Sequence, residues 1–306
     1  MGVGTFISVG RSLDTALERV ERAERLGYES VYVNHIAGHD SLSVLMAYAS
    51  RTERVKLGTG VLPIYSRTPV ATAQASVTID EFSGGRHILG IGVSHRPVVE
   101  GWFGTTIDKP VREMREYASL LRAFFRAEEP PQGERFRSGF QFMGVEPRAD
   151  LPIYIAALSP AMLRLAGELG DGVVLWLCNP DYIREVVIPE VTTGRERAGK
   201  TLEGFDVVAA VPAAVTDAPA TAREQLRESL VTYFHLPFYQ AMIERSGFPT
   251  DAGAPDEFLD LLAGIGDAET AKATLERYRE AGTTSPCVGA VPKTDFDATL
   301  EALAPG

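Results

Sequence analysis

The chain has 306 residues, 45% of which are hydrophobic, and a formal net charge of −11. This length and composition suit one large α/β domain with a sizeable core, and the negative charge argues against the basic surface that nucleic-acid binding requires. No run of about 18 apolar residues is present, so we expect no membrane span.

The cysteine content and the first residues indicate the cellular compartment. The chain begins without the basic and apolar regions of a signal peptide. Its two cysteines, Cys178 and Cys287, lack CxxC spacing, so we predict neither a disulfide framework nor a metal site. We therefore expect a cytoplasmic protein.

Short β-branched segments alternate with amphipathic segments along the whole chain. Strands are predicted at 3–9, 30–34, 55–61, 87–93, 152–158, 172–178, 205–215 and 285–291. Helices are predicted at 12–26, from Ser41, at 69–82 and 111–125, from Pro160, and at 181–199, 219–245 and 267–281. For the first helix, Ser12 is a suitable N-cap and Gly27 a suitable stop.

The alternation of strands and helices predicts βαβ units and a parallel sheet. Eight such units in a chain of this length indicate an α/β fold, a single-domain (β/α)₈ TIM barrel that spans residues 1–306. A doubly wound Rossmann sheet is the alternative fold. No GxGxxG motif follows the first strand, which argues against that alternative.

Two segments, about 126–150 and 246–266, are longer than ordinary barrel loops and are rich in proline, glycine and charge. We interpret them as insertions in the barrel. Long insertions in this fold commonly form lids over the active-site face, whereas a surface excursion or an oligomer contact is the alternative role.

The functional residues of a TIM barrel lie at the carboxyl ends of its strands and in the loops that follow. Two histidines at these positions, His35 and His95, are candidate catalytic residues. The other strand-end candidates are Asn34, Gly58, Thr59, Gly60, Val61, Gly92, Val93, Ser94, Ala157, Leu158 and Ser159. Structural roles are the alternatives: histidines can hydrogen-bond the backbone, glycines can relieve crowding, and Ser159 before Pro160 can be an ordinary N-cap.

A set of aromatic residues is expected to line an apolar substrate pocket near these strand ends. Its members are Phe6, Tyr65, Trp102, Trp176 and Phe234. Each of them, taken alone, could instead belong to the core or the surface.

Three segments, VKLGTGVLPIYSRTP (55–69), EFSGGRHILGIGVSH (81–95) and AALSPAMLRLAGELGDGVVLW (156–176), closely resemble the luciferase-like oxidoreductases. The chain is most similar to the actinobacterial members that use the deazaflavin coenzyme F420, with FMN as the alternative cofactor. The resemblance covers nearly the whole chain in the expected order. It implies a TIM barrel whose strand-end residues bind a flavin-type cofactor.

The resemblance also implies particular contacts. In the family, the third strand ends in a bulge with a non-prolyl cis peptide against the middle of the flavin ring, and this position matches Gly60-Val61. The loop Val93-Ser94-His95 resembles the segment that meets the ribityl and phosphate part of the cofactor. The turn Ala157-Leu158-Ser159 precedes a helix N-terminus, which suits a phosphate.

The sequence departs from the family's sugar-phosphate dehydrogenases at two places. Those enzymes carry an aspartate–histidine pair after the second strand and a glutamate after the fourth, whereas this chain has Asn34-His35 and His95. Without these carboxylates, the alcohol-oxidation mechanism of those enzymes is not implied here. The histidines remain the available acid–base groups.

The resemblance implies hydride transfer between deazaflavin C5 and a small organic substrate. We favour a reductase that acts on an enone, imine or iminium, with His35 or His95 supplying the proton. The alternatives are an FMN-dependent monooxygenase that needs a partner reductase, and a non-catalytic cofactor-binding barrel. We also expect a homodimer and no nucleic-acid or membrane partner.

Overall fold

The structure is a computed structural model that describes residues 2–251 and 253–305. Its strands are β1 Gly4–Phe6, β2 Ser30–Val33, β3 Lys56–Thr59, β4 Leu62–Pro63, β5 His87–Gly92, β6 Ile153–Ala156, β7 Gly172–Leu175, β8 Asp206–Val215, β9 Gly264–Gly266 and β10 Ser285–Ala290. Its helices are α1 Leu13–Arg25, α2 Ser41–Ala49, α3 Pro69–Phe82, α4 Arg96–Trp102, α5 Pro110–Phe125, α6 Pro160–Leu169, α7 Pro180–Tyr182, α8 Ile188–Arg197, α9 Pro219–Phe234, α10 Pro237–Arg245, α11 Asp256–Leu262, α12 Ala268–Glu280 and α13 Phe296–Ala302. A π-helical turn, Ile183–Val187, joins α7 to α8.

The strands form a closed parallel barrel in the order β1, β2, β3, β5, β6, β7, β8, β10, because β10 pairs with both β8 and β1. The short β4 pairs with β5, and β9 pairs with the last residues of β8. The predicted eight-stranded TIM barrel is confirmed, whereas the open Rossmann sheet is not observed. Over the described residues, no helix is both long and apolar enough to cross a lipid bilayer.

Side chains fill the interior of the barrel. The buried interior residues are Tyr32, Ile88, Tyr154, Val174, Val208 and Cys287. The Tyr32 ring takes up so much of this space that a Cβ atom at Gly58 would lie 2.4 Å from it. Phe6 and Val61 pack against this interior core and are only partly buried, so they form the floor of the barrel mouth.

The helix predicted at 219–245 is divided in two. It is interrupted at His235 and Leu236, and α10 begins at Pro237, because proline has no N–H for an intrahelical hydrogen bond and suits a first helical position. The segment 246–266, predicted as an insertion, contains α11 and β9. The pattern also missed α4 and α13, which have seven residues each and are too short to show a clear helical period.

The segment 126–150 contains no helix or strand but is packed against the barrel. Its tip is held by the Glu116 carboxylate of α5, which accepts the backbone N–H groups of residues 134, 135 and 136 at 3.1, 2.8 and 2.9 Å. Phe136 at this tip packs edge-on against Tyr117 and also contacts Tyr65, beyond the end of β4. The segment is therefore a surface excursion whose tip reaches the side of the mouth, and a lid function remains a prediction.

Replacing Glu116 with alanine should release this tip. Burial raises the pKa of Glu116, but the three backbone donors bring it below its ordinary value, so the native carboxylate is charged and fully used. We expect Glu116→Ala to lower the free energy of unfolding by at least about 1 kcal/mol. It should also speed hydrogen exchange at residues 134–136. The exposed Glu129→Ala is the control in the same segment, and equal exchange rates in both variants would contradict the anchor.

Candidate active site at the barrel mouth

The strand residues are mostly buried, but the residues that follow the strand ends are only partly buried. This half-buried ring contains Phe6, Asn34, His35, Gly60, Val61, Val93, Ser94, His95, Leu158, Ser159 and Trp176. All of these residues lie at the carboxyl ends of parallel strands, the face on which TIM-barrel active sites are built. The mouth of the barrel is therefore the candidate active site.

The Gly60-Val61 peptide bond, between β3 and β4, is cis, as the resemblance implies. Two glycines of β5 allow the neighbouring backbone to approach this bulge. A Cβ atom at Gly90 would lie 2.0 Å from the Thr59 carbonyl oxygen, and one at Gly92 would lie 2.6 Å from Val61 Cγ2. The glycines do relieve crowding, and in doing so they place the Val61 side chain at the floor of the mouth.

Some predicted cofactor contacts have a different role. Thr59 is fully buried, and its hydroxyl group donates to the Gly90 carbonyl at 2.6 Å and accepts the Gly90 N–H at 2.8 Å. Gly58 lies below the mouth against Tyr32, and Gly92 lies beneath Val61. These three residues are buried in the packing between adjacent strands of the barrel, so they offer no exposed surface to a ligand.

The turn after β6 can serve both as the N-cap of α6 and as a phosphate site, the two roles expected from the sequence. Ser159 caps α6, since its hydroxyl oxygen accepts the Met162 N–H at 3.4 Å. The hydroxyl proton remains available to donate, and the N-terminus of a helix carries partial positive charge. Ala157 is buried, whereas Leu158 and Ser159 are partly exposed at the mouth. This turn can therefore receive a phosphate group.

His35 follows β2 and is held by the start of α2. The Ser41 N–H donates to His35 Nδ1 at 3.3 Å, and the Ser41 hydroxyl oxygen lies 3.1 Å from the same nitrogen. The contact from the Ser41 N–H to Nδ1 favours the tautomer in which the neutral ring carries its proton on Nε2. Burial lowers the pKa of His35, the Asp40 carboxylate 3.9 Å away opposes this, and Arg67 lowers it further. His35 is therefore a neutral hydrogen-bond donor near pH 7.

Asp40 connects the His35 loop to two helices. Its carboxylate accepts the Ser43 N–H at 2.9 Å, which caps α2, and it also pairs with Arg67, which precedes α3. Capping by aspartate stabilises the first turn of a helix and thereby fixes the direction of the Ser41 N–H. The sequence pattern placed His35 at the mouth but gave no sign of this support.

His95 belongs to a group of aromatic rings at the mouth. We call this the mouth aromatic group; its members are His95, Trp176, Tyr233 and Tyr239. Ring centroids are 5.9 Å apart for Trp176 and Tyr233, 4.9 Å for Tyr233 and Tyr239, and 5.5 Å for His95 and Tyr239. Burial lowers the pKa of His95, and its Nδ1 atom is buried without a hydrogen-bond partner.

Two members of this group were missed by sequence reasoning. Tyr233 is the penultimate residue of α9 and Tyr239 lies in α10, so both come from the region that was predicted as one continuous helix. The break at Pro237 was the available signal, because it turns the chain back over the mouth. Phe6 and Trp176 do lie at the mouth as predicted, on its floor and beside Tyr233 respectively.

The other predicted pocket residues lie elsewhere. Trp102 ends α4 and is 54% exposed, so it does not line a pocket. Phe234 is fully buried and packs on Phe258 with 5.6 Å between ring centroids, so it is a core residue. The Tyr65 hydroxyl group donates to the buried carboxylate of Glu113 on α5, which directs its polar end to the helix layer.

Comparison with known proteins identifies the family. Residues 1–285 match the luciferase-like monooxygenase family, and the chain belongs to that family. A Mycobacterium tuberculosis protein named as a coenzyme F420-dependent oxidoreductase is 32% identical, covering 89% of this chain and 90% of that protein. The 5,10-methylenetetrahydromethanopterin reductase of Archaeoglobus fulgidus is 30% identical, covering 88% and 87%. The structure of the F420-dependent tetrahydromethanopterin reductase from Methanopyrus kandleri has a TM-score of 0.86 at 22% identity, covering 99% and 97%, which supports the fold.

A methyl group at Gly92 should disturb the floor of the mouth. It would lie 2.6 Å from Val61 Cγ2 and 3.3 Å from Ala156 Cβ, so Val61 must shift. We expect Gly92→Ala to weaken binding of F420 or FMN at least about tenfold, with a loss of stability in the range of about 1–3 kcal/mol typical of overpacking. Gly10→Ala, where no atom lies within 4 Å of the new Cβ, is the control. Unchanged affinity in Gly92→Ala would remove Val61 from the binding surface.

Proposed function

We propose that this protein is an F420-dependent oxidoreductase that reduces a small organic substrate of the enone, imine or iminium type. The observation that carries the proposal is the order of groups around the mouth. The Val61 bulge of β3 has the neutral donor His35 on its β2 side and the turn 93–95 on its β5 side, followed by the turn 157–159. Membership of the luciferase-like family, together with relatives named as F420-dependent, supports this choice of cofactor.

The residues at the mouth fit a flavin-type cofactor. Phe6 and Val61 offer an apolar floor for a planar ring. Ser94, which has a left-handed φ of 56°, and Ser159 at the start of α6 would hold the ribityl and phosphate part. When bound, the reduced deazaflavin supplies a hydride from C5, and the protein orients the reactants and controls the proton.

His35 is the better placed of the two histidines for the chemical step. Its Nδ1 is engaged by Ser41, so its Nε2–H is the group left to bind a substrate. The ring of His95, by contrast, packs against Tyr239 and Tyr233. We propose that His35 binds the substrate atom that gains electron density, and that His95 helps to shape the pocket. The proposal also includes a cytoplasmic location, supported by the two buried free cysteines.

Cofactor titration tests the proposed function. We expect purified protein to bind F420 at least about tenfold more tightly than FMN, a difference of about 1.4 kcal/mol. Quenching of tryptophan fluorescence measures both affinities. Tighter binding of FMN would favour the second candidate, an FMN-dependent monooxygenase, which the family description supports. Oxidation of bound reduced F420 by an added acceptor would exclude a barrel that only binds the cofactor.

Removal of the His35 imidazole should affect turnover more than cofactor binding. Removing one hydrogen-bond donor to developing negative charge typically costs about 10²–10³-fold in kcat, so we expect His35→Ala to lower kcat at least about 100-fold with little change in F420 affinity. Burial and Arg67 lower the pKa of His35. In the pH profile of kcat, the decline on the acid side should therefore occur at a pH below the ordinary histidine pKa of about 6.5. Thermal melts serve as the control, and early melting with near-normal kcat would contradict this role.

We also propose that two copies of the chain associate through α2 and α3, which pack against each other. The residues of these helices that remain partly or fully exposed are uncharged until Glu81: Ser43, Met46, Ala47, Val70, Ala71, Gln74, Ala75, Thr78. The outer face of α1, by contrast, carries charged residues along its length. A surface depleted of charge is typical of the centre of a protein–protein interface.

A charge placed on this face should separate the two copies. We expect the native protein to sediment as a dimer and Ala75→Glu to sediment as a monomer, because a buried unpaired carboxylate is costly. Ala273→Glu, on the exposed side of α12, is the matched control and should remain dimeric. A native protein that sediments as a monomer would refute the interface.

A further inference from the structure

A cavity of about 410 Å³ lies in the helix layer, between α9, α11 and α12. We infer that this cavity binds a small organic carboxylate with a compact apolar body, such as an aromatic acid. No residue of the half-buried ring at the mouth lines it, so the site is separate from the mouth and does not depend on the proposed function. Its volume lies within the range of about 300–1,000 Å³ that is typical of small-molecule sites.

The floor of the cavity is apolar. Leu259, Ala263 and Ile265 line it, and all three are buried in the hydrophobic core. They belong to the segment 246–266, which the sequence marks as an insertion. Ala273 of α12 also lines the cavity and is exposed, so its small side chain leaves the floor open to a ligand. Contact with this floor would remove the apolar part of a ligand from water.

Two arginines and one aspartate carry the charges of the lining. Arg223 of α9 pairs with the Asp260 carboxylate of α11. Arg277 of α12 is partly buried, and it forms no salt bridge with any residue in the described part of the chain. The lining therefore carries one positive charge in excess. A partly buried guanidinium without a counter-ion attracts an anionic ligand more strongly than an exposed one, because it is less well screened by water.

The protein itself uses only one nitrogen of the Arg277 guanidinium. Nη2 donates to the Asp260 backbone carbonyl at 2.9 Å and to the Thr274 hydroxyl oxygen at 3.0 Å. The Thr274 hydroxyl donates in turn to the Thr270 carbonyl at 3.1 Å, which orients it to accept from Arg277. These bonds fix the guanidinium beside the last turn of α11. Capping of α11 thus accounts for Nη2, and the N–H groups of Nε and Nη1 remain for a carboxylate.

The acidic side chains around the cavity do not replace such a ligand. Four of them form salt bridges with basic residues outside the lining. The pairs are Glu224 and Asp256 with Arg227, Glu269 with Lys272, and Glu276 with Arg279. Asp260 is the one carboxylate of the lining, and it is bonded to Arg223. The unmatched positive charge of the cavity is therefore that of Arg277.

A monocarboxylate with an apolar body satisfies both parts of the cavity. Its carboxylate would accept hydrogen bonds from Arg277, and its apolar body would cover the floor. A phosphate monoester carries a charge of about −1.5 to −2 at pH 7, which exceeds the single excess charge of the lining. A neutral ligand would leave Arg277 without a counter-ion, and a cationic ligand would be repelled by it. The charge balance therefore selects a monoanion.

The first test compares three probes of one shape and different charge: 4-fluorobenzoate, 4-fluorobenzamide and 4-fluorobenzylammonium. Titration of the full-length protein, followed by ¹⁹F NMR line broadening, measures the three affinities. We expect 4-fluorobenzoate to bind at least about tenfold more tightly than the other two, because hydrogen bonds between charged groups are the stronger ones. Equal or weaker binding of 4-fluorobenzoate, or no binding of it, would overturn the inference.

Variants of two arginines on α12 test the carboxylate contact. Arg277→Gln should weaken binding of 4-fluorobenzoate at least about tenfold, since it removes the charged donor. Arg279→Gln is the matched control, because Arg279 lies on the same helix, pairs with Glu276 and does not line the cavity. Native affinity in Arg277→Gln, or an equal loss in both variants, would overturn the inference. Thermal melts confirm that each variant is folded.

A second pair of variants tests the cavity without changing its charge. Ala273→Leu should fill the space above the floor and prevent 4-fluorobenzoate from binding, and it is made at an exposed position that tolerates a larger side chain. Ala220→Leu, at an exposed position of α9 outside the lining, is its control and should bind as the native protein does. Binding that persists in Ala273→Leu would overturn the location.

Competition with the cofactors excludes binding at the mouth. Saturating F420 or FMN should leave the affinity for 4-fluorobenzoate unchanged, because the cavity shares no residue with the half-buried ring. Displacement of the probe by either cofactor would place it at the mouth and overturn the inference. Failure of both cofactors to bind would refute the proposed function, whereas the comparison of Arg277→Gln with Arg279→Gln would still decide this one.

Discussion

The close approach of β5 to β3 is the constraint on which the mouth of this barrel depends. Gly90 and Gly92 have no Cβ, which allows the Thr59 carbonyl and the Val61 side chain to occupy the space a methyl group would need. The Thr59 hydroxyl then bonds to both the carbonyl and the N–H of Gly90. Because the barrel is closed, a shift at this contact must propagate to the adjacent strands. The packing that closes the barrel thus also sets the height of the floor of the mouth.

A second constraint operates through a helix cap. Asp40 stabilises the first turn of α2, and the same turn aims the Ser41 N–H at His35. The salt bridge from Asp40 to Arg67 ties this turn to the loop before α3. Local helix stability and the tautomer of a candidate catalytic histidine are therefore linked. One aspartate serves both purposes.

The sequence predicted the position of a residue where that position follows from the hydrophobic periodicity of strands and helices and from the order of the strands. The βα alternation gave the barrel, and the strand ends gave His35, Val61 and Trp176 at the mouth. It failed where a role depends on contacts between distant residues. Thr59 looked like a cofactor contact, but its hydroxyl is used by Gly90, and nothing local distinguishes the two roles. Phe234 and Tyr233 are adjacent, yet one is core and the other lies at the mouth, because neighbouring side chains on a helix point in different directions.

The family's sugar-phosphate dehydrogenases have carboxylates at the positions of Asn34 and His95, and their absence here agrees with the contacts of Asp40 and His35. A dehydrogenase that removes a proton from an alcohol needs a free base near the substrate, whereas a reductase needs a donor for the oxygen that becomes negative. Here Asp40 is engaged by Arg67 and by α2, and burial favours a neutral His35 that presents only N–H. Both changes move the site in one direction, away from proton removal and towards stabilising an anion. This arrangement of donors supports the reduction proposed above.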